Sequence, residues 1–352
     1  MICPKLQGLL VALLLPMLAT AGCNQSNSTV TPARQGEENK VSPPALVGTG
    51  AGEVGLSDRN SLTSGSSSQS RPIEVVTTFL PMYWFTKAVA GNLVRVEVLL
   101  PPGTEVHEYQ ATPKDVQAIA QADVLVKNGL GLEEFLENTI KNARNTQLKQ
   151  IEASRGIKPL QEISPVVEVA DKADRDHKHE HEHSAGNPHV WLDPILAIEQ
   201  VENIRDGLIA ADPGNKVTYQ ANAAAYIQQL QALDREFQQR LQQYPNCTFV
   251  TFHDAYPYLA QRYQLKQVAV VQIPEDQLSP GDIQKTISTV KQYKVKALFG
   301  ESGTDNKLLK NLSQDLKLNL SVLDSLESGS VDPQHYFTAM KANLQTLEAA
   351  CR

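Results

Sequence analysis

The residues best equipped for chemistry in this chain are its histidines. Four of the eight, His177, His179, His181 and His183, fall within one short run, alternating with Lys178, Glu180 and Glu182. Such a run has no apolar period, so it is predicted to be a solvated loop whose neutral imidazoles take up divalent metal. Asn187-Pro188-His189-Val190-Trp191-Leu192-Asp193-Pro194 follows directly. His107, His253 and Asp324 stand singly elsewhere. Three imidazoles and one carboxylate suit zinc, which takes nitrogen and oxygen donors in a tetrahedral set. Each residue alone has a duller explanation: a strand-end histidine is commonly just hydrogen-bonded, and Asp324 could shape a turn or cap a helix. Their joint placement points to a metal.

That placement depends on the elements around them. From Ile73 onward, short β-branched runs alternate with helical stretches. Strands are predicted at 73–78, 94–100 and 124–127, with helices at 83–90, 112–122 and 132–143. After Pro194 the pattern changes to two helical runs broken at Asp212-Pro213-Gly214. The second, from Lys216 to Tyr244, would be about 43 Å long, long enough to act as a strut between two regions. Strands at 248–252, 267–271, 297–299 and 320–323 then alternate with helices, one of them capped by Ser279, and a terminal helix covers 335–350. The class is α/β: two parallel-sheet lobes joined by a long rigid helix. Ligands of such sheets gather beyond the carboxyl ends of the strands. His107 falls in the loop after strand 94–100, His253 directly after 248–252, and Asp324 directly after 320–323. His189 lies on the segment leading out of the first half. The site is therefore expected in the cleft between the lobes.

The remaining organisation follows from composition. The chain has 352 residues, 41% of them hydrophobic and 20% charged, with a formal charge of −7, which offers no basic surface for nucleic acid. Residues 1–23 read as an export signal, with Lys5 ahead of the apolar run Leu9 to Leu15. Thr20-Ala21-Gly22-Cys23 resembles a lipobox that would lipidate Cys23 and anchor the protein to the membrane, while Ala19-Thr20-Ala21 also permits ordinary cleavage. Residues 24–71 are a Ser/Gly/Pro-rich tether. The N-terminal lobe is assigned to 72–194 with the His-rich loop at 171–186, the linking helices to 195–245, and the C-terminal lobe to 246–352. Export permits a disulfide between Cys247 and Cys351, since Cys3 leaves with the signal and Cys23 carries lipid. A monomer is expected.

An enzyme is the competing class. His179-Glu180-His181-Glu182-His183 satisfies the H-E-x-x-H pattern of zinc proteases, but that motif works on a helix with a buried side. Its flanks, Asp174-Arg175-Asp176 and Ser184-Ala185-Gly186, provide none. Neither a serine nucleophile elbow nor a phosphate-binding glycine loop occurs, so no enzymatic activity is expected.

Several ordered motifs carry a family resemblance. They are Pro101-Pro102-Gly103-Thr104-Glu105-Val106-His107-Glu108-Tyr109, Thr112-Pro113-Lys114-Asp115-Val116, Asn128-Gly129-Leu130-Gly131-Leu132-Glu133, the segment Asn187 to Pro194, Tyr219-Gln220-Ala221-Asn222, and Phe252-His253-Asp254-Ala255-Tyr256. Together, over about residues 73–351, they resemble the metal-binding proteins of bacterial ABC importers, and the ZnuA-like zinc members in particular. The resemblance implies a periplasmic protein that binds Zn²⁺ through His107, His189 and His253 and hands it to a membrane permease with small lobe motions. Asp324 would take the place of a carboxylate ligand or near-ligand. Manganese members tend to carry a carboxylate where this chain has His253, whereas the His-rich loop is a feature of zinc members. Val106 stands where some zinc relatives have an acid, so Asp324, Glu105, Glu108 and water all remain open as the fourth ligand. Ser325-Leu326-Glu327 follows Asp324 in place of the family's Pro-Leu-Gly. A manganese carrier and a surface adhesin on the same scaffold are the alternatives.

Overall fold

Four short strands from the first half of the chain, β1 (Glu74–Thr77), β2 (Arg95–Val98), β3 (Val124–Lys127) and β4 (Lys149–Glu152), form a parallel sheet in the order β2-β1-β3-β4. They belong to a computed structural model that describes residues 71–104, 106–107, 109–161, 186–271, 280–293, 295, 297–301 and 307–352. Four more strands, β5 (Thr248–His253), β6 (Lys266–Val271), β7 (Ala297–Glu301) and β8 (Leu320–Leu323), form a second parallel sheet in the order β6-β5-β7-β8. Both sheets use one winding rule. The chain leaves the first strand to one side and returns on the other, so the first and third strands flank a topological switch point. The sequence reading did not foresee β4. Its residues Lys-Gln-Ile-Glu bury only Ile151, as suits a sheet edge blunted by charge.

Local chemistry sets the helix ends. Helix α1 (Leu80–Ala90) begins earlier than expected because Pro81 is tolerated in a first turn, and Gly91 closes it at φ 59°. Helix α2 (Pro113–Gln121) starts with a reciprocal capping box between Thr112 and Asp115. Helix α3 (Glu137–Ala143) completes the first lobe. At the start of α4 (Pro194–Ala211), the Asp193 carboxylate accepts the Ile195 N–H at 2.8 Å. A tight turn at Pro213–Asn215 then separates α4 from α5 (Lys216–Leu241), whose 26 residues run about 39 Å. Tyr219, Ala223, Tyr226, Leu230, Leu233, Phe237 and Leu241, spaced three or four apart, are the buried stripe of this strut. Helices α6 (Pro257–Arg262), α7 (Pro280–Gln292), α8 (Lys307–Leu316) and α9 (His335–Cys351) complete the second half.

One apolar core runs through both halves. It joins Trp84 and Phe85 of α1 to Phe237 of α5, Phe249 of β5 and Tyr336 of α9. A smaller cluster holding Val250, Val268 and Leu298 covers the opposite face of the second sheet, as strand alternation requires. A disulfide joins Cys247, just ahead of β5, to Cys351 at the end of α9, with Cα atoms 5.7 Å apart. No helix among the described residues is long and apolar enough to cross a membrane.

Candidate metal centre

Four side chains from distant parts of the chain converge beyond the carboxyl ends of the strands. His107, His189, His253 and Glu327 each present one donor atom, and all four atoms lie within 4.8 Å of one another. The Nε2 atom of His189 stands 3.3 Å from Nε2 of His107, 3.3 Å from Nε2 of His253 and 3.3 Å from Oε1 of Glu327. His107 Nε2 is 3.7 Å from the same oxygen. Two donors held about 2.05 Å from a tetrahedral ion lie about 3.3 Å apart, so the spacing around His189 is what one zinc-sized ion requires. The site is closed to water, with side chains of His107, His189, His253 and Glu327 exposed by only 5, 2, 0 and 3%.

The donor chemistry matches the spacing. Both carboxylate oxygens of Glu327 are buried and accept no hydrogen bond of ordinary geometry, which is costly unless a cation is their partner. Burial opposes the ionisation of Glu327, but the imidazole of His107 outweighs it and holds the carboxyl well below its usual range. Burial also pushes His189 down to about 3, against the pull of Glu327, so this ring is neutral at physiological pH. A carboxylate facing a neutral imidazole is the protonation state that a divalent metal needs.

Two of the imidazoles are positioned by hydrogen bonds that their local sequence only partly announces. His253 is the last residue of β5, and its Nδ1 is hydrogen-bonded to the carboxylate of Glu301, the last residue of β7. His189 is oriented by Asn187, whose Oδ1 accepts the His189 backbone N–H at 3.0 Å and lies 3.0 Å from Nδ1. In each case the outer nitrogen is engaged and the ring turns Nε2 toward the other donors. The Asn187–Asp193 segment is tied to the second lobe on every side. Tyr258 donates to the Asn187 carbonyl, Trp191 to the Ser325 carbonyl at 2.8 Å, Tyr336 to the Trp191 carbonyl at 2.8 Å, and Arg262 to Asp193 at 2.6 Å. From the first lobe, Asn128 donates to the Pro188 carbonyl at 3.1 Å. The Asn128–Glu133 motif explains itself here: Gly129 and Gly131 take positive φ, and the buried Glu133 carboxylate accepts the N–H groups of Asn128 and Gly129.

Of the residues singled out from sequence, His107, His189 and His253 are brought together. Asp324 is not in the group. Its Oδ1 accepts the Leu326 N–H at 2.8 Å, turning the chain through Leu326 at φ 65° so that Glu327, three residues further on, faces the imidazoles. The signal in the sequence was the glutamate in the Ser-Leu-Glu triplet after Asp324. Glu301 was also missed, though it ends a strand beside the one that His253 ends. Glu105, Glu108 and the loop histidines His177, His179, His181 and His183 lie outside the described residues, as do Cys23 and the whole of 1–70.

Residues 75–350 match the family model described as zinc-uptake complex component A, periplasmic (ZnuA). The chain is 37% identical over 281 residues to the zinc-binding lipoprotein AdcA of Streptococcus pneumoniae, covering 78% of this chain and 55% of that protein. It thus spans about half the length of that relative. Over 300 residues it is 34% identical to the high-affinity zinc uptake system protein ZnuA of Bacillus subtilis, covering 82% of this chain and 91% of that one. Among solved structures, the Zn(II)-bound ZnuA-like domain of Streptococcus pneumoniae AdcA aligns with a TM-score of 0.64 at 33% identity, over 79% of this chain and 98% of that domain.

Proposed function

The chain belongs to the zinc-uptake component A (ZnuA) family, and on that premise we propose that it captures Zn²⁺ outside the cytoplasm and delivers it to the permease of an ABC importer. The single observation that carries the reading is the donor group. Three imidazole Nε2 atoms and one orphaned carboxylate from four separate segments lie within 4.8 Å of one another, and those around His189 stand at the 3.3 Å spacing of a tetrahedral ion's donors. In this reading His107, His189, His253 and Glu327 are the ligands. Three nitrogen donors favour zinc over manganese on donor type and on the stability order of the divalent ions. Four protein donors fill zinc's coordination and leave no open position for a reacting water, so the site carries its ion and does no chemistry on it.

The rest of the reading concerns where the protein works. Residues 1–23 direct export, Cys23 carries the lipid, and residues 24–71 tether the lobes to the membrane, where a monomer meets its permease. The histidine loop gathers further zinc weakly. Native mass spectrometry with metal analysis of untagged protein tests the central claim. One zinc retained per chain is the expected result. A metal-free protein after zinc exposure, or one loaded with manganese in the presence of equal zinc, would overturn it.

A further inference from the structure

Strand pairing places a second carboxylate one bond away from the metal donors. Strands β5 and β7 run parallel with Phe249 beside Ala297 and Thr251 beside Phe299. Two residues further along both strands, on the same face, come His253 and Glu301. Residues so paired hold their side chains about 5 Å apart, so the register alone delivers the carboxylate to the imidazole. The contact follows: Glu301 Oε1 is hydrogen-bonded to Nδ1 of His253, and the His253 backbone N–H approaches the same oxygen at 3.4 Å. Both side chains are buried, at 0 and 4% exposure.

We infer that Glu301 is a positioning residue of the metal site, locking the His253 ring with Nε2 toward the ion and strengthening that nitrogen as a donor. The inference rests on the metal-carrying reading above and extends it to a residue outside the ligand set. Its geometry supports two separable effects. The hydrogen bond fixes which nitrogen carries the proton and which way the ring faces. A carboxylate partner behind the ring strengthens it as a donor, and outer partners of this kind are worth about 10- to 100-fold in metal affinity. The contrast with His189 is internal to the site. There a neutral amide oxygen, Asn187 Oδ1, does the orienting, which fixes the ring without adding charge. The outer partner of His253 is thus a carboxylate, and that of His189 an amide.

Full-length Glu301→Gln and Glu301→Ala variants separate the two effects, with cobalt(II) as a spectroscopic probe and zinc for affinity. Glu301→Gln keeps an acceptor for Nδ1 but removes the charge. It should lose at least tenfold in zinc affinity while keeping the wild-type tetrahedral cobalt band. Glu301→Ala removes both and should lose more, with an altered band because the hydrogen bond that sets the ring's orientation is gone. Thermal unfolding of the metal-free proteins provides the control. Wild-type affinity and spectrum in both variants would overturn the inference. So would an affinity loss that merely tracks a lower Tm while the cobalt band stays at wild type in both. A wild-type protein that prefers manganese would bring down the zinc reading and leave this comparison standing, because the cobalt band reports the ligand shell directly.

Discussion

Acid should destabilise the metal-free protein through His189. Its ring is 2% exposed, and burial holds it at about 3, against about 6.5 in an unfolded chain. Between those values the unfolded state binds a proton that the folded state refuses. The contribution is therefore fully present above about 6.5 and is lost as pH falls toward 3. At pH 5.0 the folded ring is still neutral and the unfolded one has been charged for 1.5 pH units. At about 1.4 kcal/mol per unit, the loss is about 2 kcal/mol relative to pH 7.5. The carboxyl of Glu327 is also depressed in the folded state, so it adds to acid instability in the same direction, but only below the ordinary glutamate range. Its share is absent at pH 5.0, which makes that pH diagnostic for histidine. The assay is urea unfolding of metal-free wild type and His189→Gln at pH 7.5 and 5.0. All other titrating groups are common to both proteins, so the variant should lose about 2 kcal/mol less than wild type between the two pH values. Equal losses would mean that His189 takes a proton in the folded protein at no cost, and the account of a dry, neutral imidazole would be wrong.

Replacing His107, His189, His253 or Glu327 singly by Ala should weaken zinc binding by about 2 kcal/mol or more in calorimetry, because each leaves a buried ion short of a donor. Asp324→Asn, by contrast, should stay within a few-fold of wild type and cost about 1 kcal/mol of stability through the turn at Leu326; an Asp324 variant as damaged as a Glu327 variant would reverse the assignment. Removing the Cys247–Cys351 bond, whose partners are 104 residues apart in sequence, should cost up to about 4.7 kcal/mol on the chain-entropy model, read as a lowered urea midpoint after Cys→Ser replacement at both positions. Deleting residues 176–183 should remove weak zinc equivalents in a titration and leave one tight site; loss of the tight site would make the loop a primary source of ligands.

What the sequence determined by itself was whatever depends on local pattern. Alternating β-branched and helical stretches specified two parallel α/β halves, because strand and helix periods differ and each must bury one face. The spaced apolar stripe from Tyr219 to Leu241 specified the strut. The rule that ligands sit beyond strand carboxyl ends singled out His107, His253 and Asp324, and the fold brings the two histidines together with His189 of the connecting segment but leaves Asp324 out of the group. Strand β4 escaped because an edge strand need not look apolar, and its only buried residue is Ile151. The direction of the chain after β8 was only partly local. Asp324 leaves the strand first, yet Glu327 faces the imidazoles, because the turn at Leu326 is held by the Asp324 carboxylate and by two distant indoles. Trp191 donates to the Ser325 carbonyl and Trp84 to the Ser330 carbonyl, both at 2.8 Å. The pairing of Glu301 with His253 likewise required the register of β5 against β7, two strands with a third between them in the chain. Residue type and spacing name the groups able to hold a metal; which carboxylate reaches it is fixed by the local turn at Leu326 together with contacts between residues more than a hundred positions apart, and the latter exist only once the chain has folded.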